Sequence, residues 1–216
     1  MTFHKPICAA LVGAALLLFG QGGAAHAACP SGALPAAFDK ELPRNGRHDA
    51  SLLGTGVLIE TNRARCAQGL SPLETNRDLQ KAAQWHSADM AKRNFFDHTS
   101  PVRGRRTLGD RVSKAGYNFR QIAENIIESH FVAYESGARY RVTDEKRCAF
   151  QYIDGRTIAR HTYGSLAREV VTRWMDSPGH RRNILTRDLR HHGFAMAANK
   201  DQALCGGIYA TQVMGR

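Results

Sequence analysis

Apolar positions recur at helical spacing in several stretches. Residues 28–50, rich in Pro, Gly and Ala and without periodicity, read as a tail. Leu52, Leu53, Val57, Leu58 and Ile59 then form one flank of a helix that Gly69 stops. A second helix is predicted over about 76–93. There Leu79, Ala82, Ala83, His86 and Met90 share a face, while Arg77, Lys81, Gln84 and Lys92 fill much of the other. Residues 94–106 lack any period and read as a loop. A short helix over about 107–115 ends at Gly116, a normal residue just past a helix. Leu166, Val170, Val171 and Trp174 mark a further helix. Ser177-Pro178-Gly179-His180 starts another, with Ser as N-cap, Pro at the first helical position and His180 in the first turn.

Strand signals lie between and after these helices. Ile122 to Ile127 contains Ala123-Glu124-Asn125-Ile126, a short strand or the turn into one. Residues 138–160 read as a β-meander: Tyr140 and Val142 alternate with polar residues, as do Cys148, Phe150 and Tyr152, and Asp154-Gly155 is a tight turn. The chain closes on a hairpin, 193–197 and 204–214, around a polar turn at Asn199-Lys200-Asp201. Helices first and a hairpin last predict an α+β fold with helices on an antiparallel sheet. At 216 residues and 43% hydrophobic content, disorder and collagen-like classes are excluded and one domain is expected.

Residues 1–27 have a different character. Lys5 precedes an apolar run at 7–19, and small residues then lead to Ala25-His26-Ala27, the pattern of a cleaved secretory signal. The run is shorter than the roughly 20 residues a bilayer span needs. No later stretch reaches that length, so the mature chain is expected to be soluble, secreted or periplasmic. Its cysteines are Cys29, Cys66, Cys148 and Cys205. In an oxidising compartment they suggest two disulfides, with three possible pairings. The expected pairs are Cys29–Cys66 and Cys148–Cys205, each clipping a peripheral segment to the core.

An ordered set of motifs now stands out. It runs Asn62-Arg63-x-Arg65, Leu79-x-x-Ala82-Ala83, Phe95-Phe96-Asp97-His98-Thr99-Ser100-Pro101, Arg111-x-x-x-Ala115-Gly116-Tyr117 and Ala123-Glu124-Asn125-Ile126. Trp174-Met175-Asp176-Ser177-Pro178-Gly179-His180-Arg181-Arg182-Asn183-Ile184-Leu185 ends it. The set resembles the bacterial branch of the CAP superfamily, the cysteine-rich secretory, antigen 5 and pathogenesis-related (SCP-domain) proteins, over about 52–214. The resemblance implies a three-layer αβα sandwich with a surface cleft. It also implies a tetrad of two histidines and two acids that can hold a divalent metal. By motif match His98, Glu124 and His180 are three of the four. The place of the second acid is Ser177, with Asp176 as a neighbouring substitute. Residues 128–165 exceed the short link typical of bacterial relatives and form an insert carrying the meander.

Two imidazoles and a carboxylate suit zinc with an open position. Such a centre could activate water, with Glu124 as base, which is the hydrolase or peptidase alternative. The bland reading is that the histidines hydrogen-bond Glu124 and pin two loops. A complete hydrolytic constellation is not evident, so ligand binding is favoured over catalysis. Ser100 and Ser177 read as local caps, His191-His192 as an exposed polar loop, His86 as a satisfied core histidine, and Trp85 and Trp174 as core. Net charge is +11, with Arg103, Arg105 and Arg106 following His98 and Arg181 and Arg182 following His180. A cleft shared by the histidines would carry a cationic rim, Arg103 and Arg181 included, for phosphate, carboxylate or anionic lipid heads. No nucleic-acid reading motif is present. The favoured reading is an exported domain binding a lipid, sterol or other envelope component around His98, Glu124 and His180. A third reading is an interaction module in which the 128–165 insert meets a partner.

Overall fold

The computed structural model describes residue 1 and residues 28–43, 47–199, 204 and 206–216. The expected signal segment beyond residue 1, and the tip of the last hairpin, lie outside these. In chain order the elements are α1 (Ala50–Cys66), β1 (Glu74–Thr75), α2 (Arg77–Arg93), α3 (Leu108–Ala115) and β2 (Ile122–His130). There follow β3 (Tyr140–Asp144), β4 (Ala149–Tyr152), β5 (Thr157–Ile158), α4 (Tyr163–Asp176), α5 (Pro178–Ile184), β6 (His191–Asn199) and β7 (Gly207–Gly215).

Helix boundaries follow local chemistry. Asn76 caps α2 by accepting from the amides of Asp78 and Leu79, and the αL residue Asn94 ends it. Thr107 and Asp110 form a capping box on α3, and Gly116, at φ 104°, closes it. Ser177 departs from expectation: it precedes α5 but makes no side-chain cap.

The main sheet has the order β1-β6-β7-β2, antiparallel except for the β1–β6 pair. Side-chain alternation divides it into two faces. Phe194, Met196, Ile208, Ala210, Met214 and Ile127 pack under α1 and α4 in the larger core. Ala195 and Val213 meet α2 and α3, and Ile126 and Tyr209 meet Met90 of α2. The result is the expected three-layer αβα sandwich. Helix α2 lies so close to β6 that a Cβ on Gly193 would stand 2.1 Å from the Gln80 nitrogen.

The insert folds into its own antiparallel sheet, β3-β4-β5, over a small core of Val132, Phe150, Tyr152 and Ile158. Residues 28–43 are not a loose tail. Phe38 and Leu42 are buried, and Glu41 bridges to Thr162. The Cys29–Cys66 disulfide clips this segment to the end of α1 across a sequence separation of 37. Cys148 is also disulfide-bonded, and Cys205, expected as its partner, lies outside the described residues. A Cys29→Ser/Cys66→Ser variant is expected to lose about 3–4 kcal/mol from loop entropy. Urea midpoints would check this, and an unchanged midpoint would refute it.

Candidate functional site

Strand β2 is an edge strand, and its outward carbonyls are covered rather than open to another strand. Asn183 Nδ2 donates to Glu124 O (3.0 Å), Trp174 Nε1 to Ile126 O (3.1 Å) and Arg173 Nη1 to Glu128 O (2.9 Å). The alternate acceptors are those that point away from β7. Trp174 is therefore more than core filling, since its indole N–H closes the sheet edge. Asn183 also donates to Asn125 Oδ1 at 2.9 Å, tying α5 to β2.

Glu124 points from β2 towards α2 and α3. Its carboxylate is buried and takes both oxygens to Arg111 Nη2, at 2.9 and 2.7 Å. His98 Nδ1 lies 2.9 Å from Oε1, and His86 Nε2 lies 3.8 Å from the same oxygen. Burial alone would raise the Glu124 pKa. The His98 hydrogen bond and the Arg111 guanidinium outweigh it and hold the carboxyl below its usual value. The Glu124 bond in turn raises His98, whose side chain is 56% exposed. Burial pushes His86 down to about 4. His180, in the first turn of α5, is lowered by burial and then by the charge of His98. The fold thus brings His98, Glu124 and His180 to one edge of the sheet.

Arg111 was not assigned a role from the sequence, yet it is the central cation. It is fully buried and also donates to the carbonyls of His98, Arg105 and Arg106, which fixes the loop carrying His98. The signal was legible: on α3 it shares the inward face with Leu108, Val112 and Ala115.

This donor set fits a divalent metal poorly. Both Glu124 oxygens already neutralise a guanidinium, and a second cation would stand against Arg111. Among the described residues no three His, Cys, Asp or Glu side chains are grouped to hold a metal ion. At the place where zinc was expected, Arg111 supplies the positive charge that pairs with Glu124. A carboxylate held ionised by such partners is also a weak proton acceptor, which disfavours Glu124 as a general base.

Beside this group a cleft of about 250 Å³ straddles the β2 edge, lined by Phe96, Ile126, Ile127, Trp174, Ser177 and His180 among others. Phe96 is 45% exposed. Ser177, the place matched to the second acid, faces the cleft. Asp176, Arg103 and Arg181 do not line it. Asp176 is exposed at the end of α4, Arg103 is exposed on its loop, and Arg181 Nε donates to the Met175 carbonyl. Ser100 is buried and makes a local turn by accepting from the Val102 amide. His191-His192 is not an exposed loop. It opens β6, where His191 meets the Tyr117 hydroxyl at 2.7 Å and His192 is buried. His86 is buried as expected, but neither ring nitrogen has a hydrogen-bond partner among the described residues.

The family model of the cysteine-rich secretory proteins (CAP) matches residues 58–214. The uncharacterized protein YkwD of Bacillus subtilis is 30% identical over 160 residues, which is 74% of this chain and 46% of that protein. The uncharacterized membrane protein YlbC of the same organism is 29% identical over 137 residues, 63% of this chain and 29% of that protein. The chain thus spans less than half the length of either relative. An extracellular SCP-domain protein of Bacillus anthracis superposes with a TM-score of 0.53 at 22% identity, over 86% of this chain and 45% of that one, a likeness of fold. No helix among the described residues is long and apolar enough to cross a membrane.

Proposed function

The chain belongs to the cysteine-rich secretory protein (CAP) family, and from this premise we propose that it is an exported domain binding an amphipathic lipid in the cleft at the β2 edge. The observation that carries the reading is the juxtaposition in that cleft. Ile126, Ile127, Trp174 and a half-exposed Phe96 form an apolar floor beside His180 and Arg173. An acyl chain or ring system covers the floor and gains roughly 25 cal/mol per Å² of apolar surface removed from water. A carboxylate or phosphate head reaches Arg173 where its side chain lines this cleft. The signal pattern at 1–27 and the basic excess support an extracytoplasmic, anionic setting.

The test is titration with a fluorescent fatty acid and with its uncharged alcohol analogue. The acid is expected to bind more tightly than the alcohol. Phe96→Ala, and Ser177→Trp, which fills the cleft, are each expected to weaken the acid about tenfold. Absence of binding, or binding indifferent to both substitutions, would refute the reading.

A further inference from the structure

A second cavity opens where the far end of β2 meets the insert. It measures about 370 Å³ and is lined by Glu128, Ser129, His130, Tyr134, Glu169 and Arg173 among others. Ser129 stands roughly 17 Å along the strand from Glu124, so this cavity is distinct from the His98 group.

Its polar groups are fixed in place. Glu169 Oε1 accepts from Ser129 Oγ at 2.7 Å, and Oε2 lies 2.9 Å from His161 Nε2. Arg173 Nη1 bridges the Glu128 carbonyl and Glu169, at 2.9 and 3.4 Å. Burial would raise Glu169, but His161, Ser129 and Arg173 outweigh it and hold the carboxyl below its usual value. One wall is aromatic. Tyr134 sits edge-on to His130 at 5.9 Å and to Tyr140 at 5.5 Å, and its hydroxyl is anchored on the Ala138 carbonyl at 2.7 Å.

These features select a ligand class. Arg173 pairs with Glu169 and Glu128 adds a second carboxylate, so the cavity disfavours an anion. An apolar ligand would strip water from these groups without replacing their hydrogen bonds. A ligand with many hydroxyls satisfies both signs of group. It donates to the open carboxylate lone pairs, accepts from the free N–H groups of Arg173, and lays a C–H face against Tyr134. We propose that this cavity is a second binding site, formed jointly by β2, α4 and the 128–165 insert, for a neutral saccharide of one or two units. Pre-ordering of Glu169 and Arg173 by their neighbours lowers the ordering cost of binding.

The experiment uses the full protein with soluble trimers of glucose and of N-acetylglucosamine, followed by saturation-transfer-difference NMR and calorimetry. At least one trimer is expected to bind. Glu169→Gln and Tyr134→Ala are each expected to weaken it about tenfold or more, while Phe96→Ala in the other cleft leaves it unchanged. Tyr134→Ala removes no buried charge and keeps the test valid should Glu169→Gln fail to fold. Retention on an insoluble glycan, competed by the trimer, would assign the ligand to a polymer, and trimer binding without retention to a free oligosaccharide. No transfer from either trimer up to about 10 mM, or binding that survives both substitutions, overturns the proposal.

Discussion

Replacing Arg111 with methionine is expected to destabilise the protein by about 3–5 kcal/mol, because it strands the buried Glu124 carboxylate without its principal partner. The guanidinium gives two bonds to Glu124 and three more to the carbonyls of His98, Arg105 and Arg106. Lysine is not expected to rescue, since one ammonium cannot reproduce a planar fork with five contacts. Glu124→Gln alone should also be costly, because it leaves a buried cation. The double variant Arg111→Met/Glu124→Gln should be less destabilised than the two single losses added together, as each removes the charge the other strands. Urea midpoints of the four proteins at neutral pH measure this coupling. Additive losses, or an Arg111→Met loss under about 1 kcal/mol, would show that the pair is not the keystone described. Equimolar zinc should leave the wild-type melting temperature unmoved.

Acidification is expected to erode stability over the window from pH 6.5 downwards, chiefly through two buried histidines, with His130 and His180, also lowered by burial, adding to the slope. Burial depresses His192 to about 3 and His86 to about 4, against an ordinary 6.5. The sign follows from proton counting. Between those values and 6.5 the unfolded chain binds protons that the folded chain refuses, so stability falls as pH falls. Each histidine contributes roughly 1.4 kcal/mol per pH unit while it is in that window. His98 acts oppositely. Its pKa is raised, so its contribution is present below 6.5 and is lost as pH rises through the folded value. Glu124 and Glu169 are lowered, so theirs is present above 4.5 and is lost as pH falls through their folded values. Between pH 6.5 and 4.5 the buried histidines therefore govern the slope. His192→Gln should flatten the dependence of the urea midpoint on pH, because glutamine has no proton to gain. A midpoint constant from pH 7 to 4.5, or an unaltered slope in His192→Gln, would contradict this.

Much of the architecture was legible because local chemistry decides local structure. The 3–4 spacing of Leu79, Ala82, Ala83, His86 and Met90, with Asn76 as cap, defines α2 on its own terms. Gly116 and Pro178 punctuate the helices for reasons internal to a few residues. The two-residue strand β1 was illegible, since it exists only through its pairing with β6. His191-His192, in a run of basic residues, resembles a surface loop. Pairing with β1 and β7 places it in a sheet and buries His192.

From sequence alone came the positions of the helices and the terminal hairpin, which depend on residue type and short-range periodicity that a linear chain displays directly. His98, Glu124 and His180 were singled out by the resemblance of their motifs to the family, since residues so far apart show no common spacing. What Glu124 touches was decided only by the tertiary structure. Arg111 reaches it from another element, and a contact between distant residues is a property of how helices and strands pack. That packing set Glu124 in a buried ion pair with Arg111, and it placed an apolar cleft and a polar cavity on either side of Arg173.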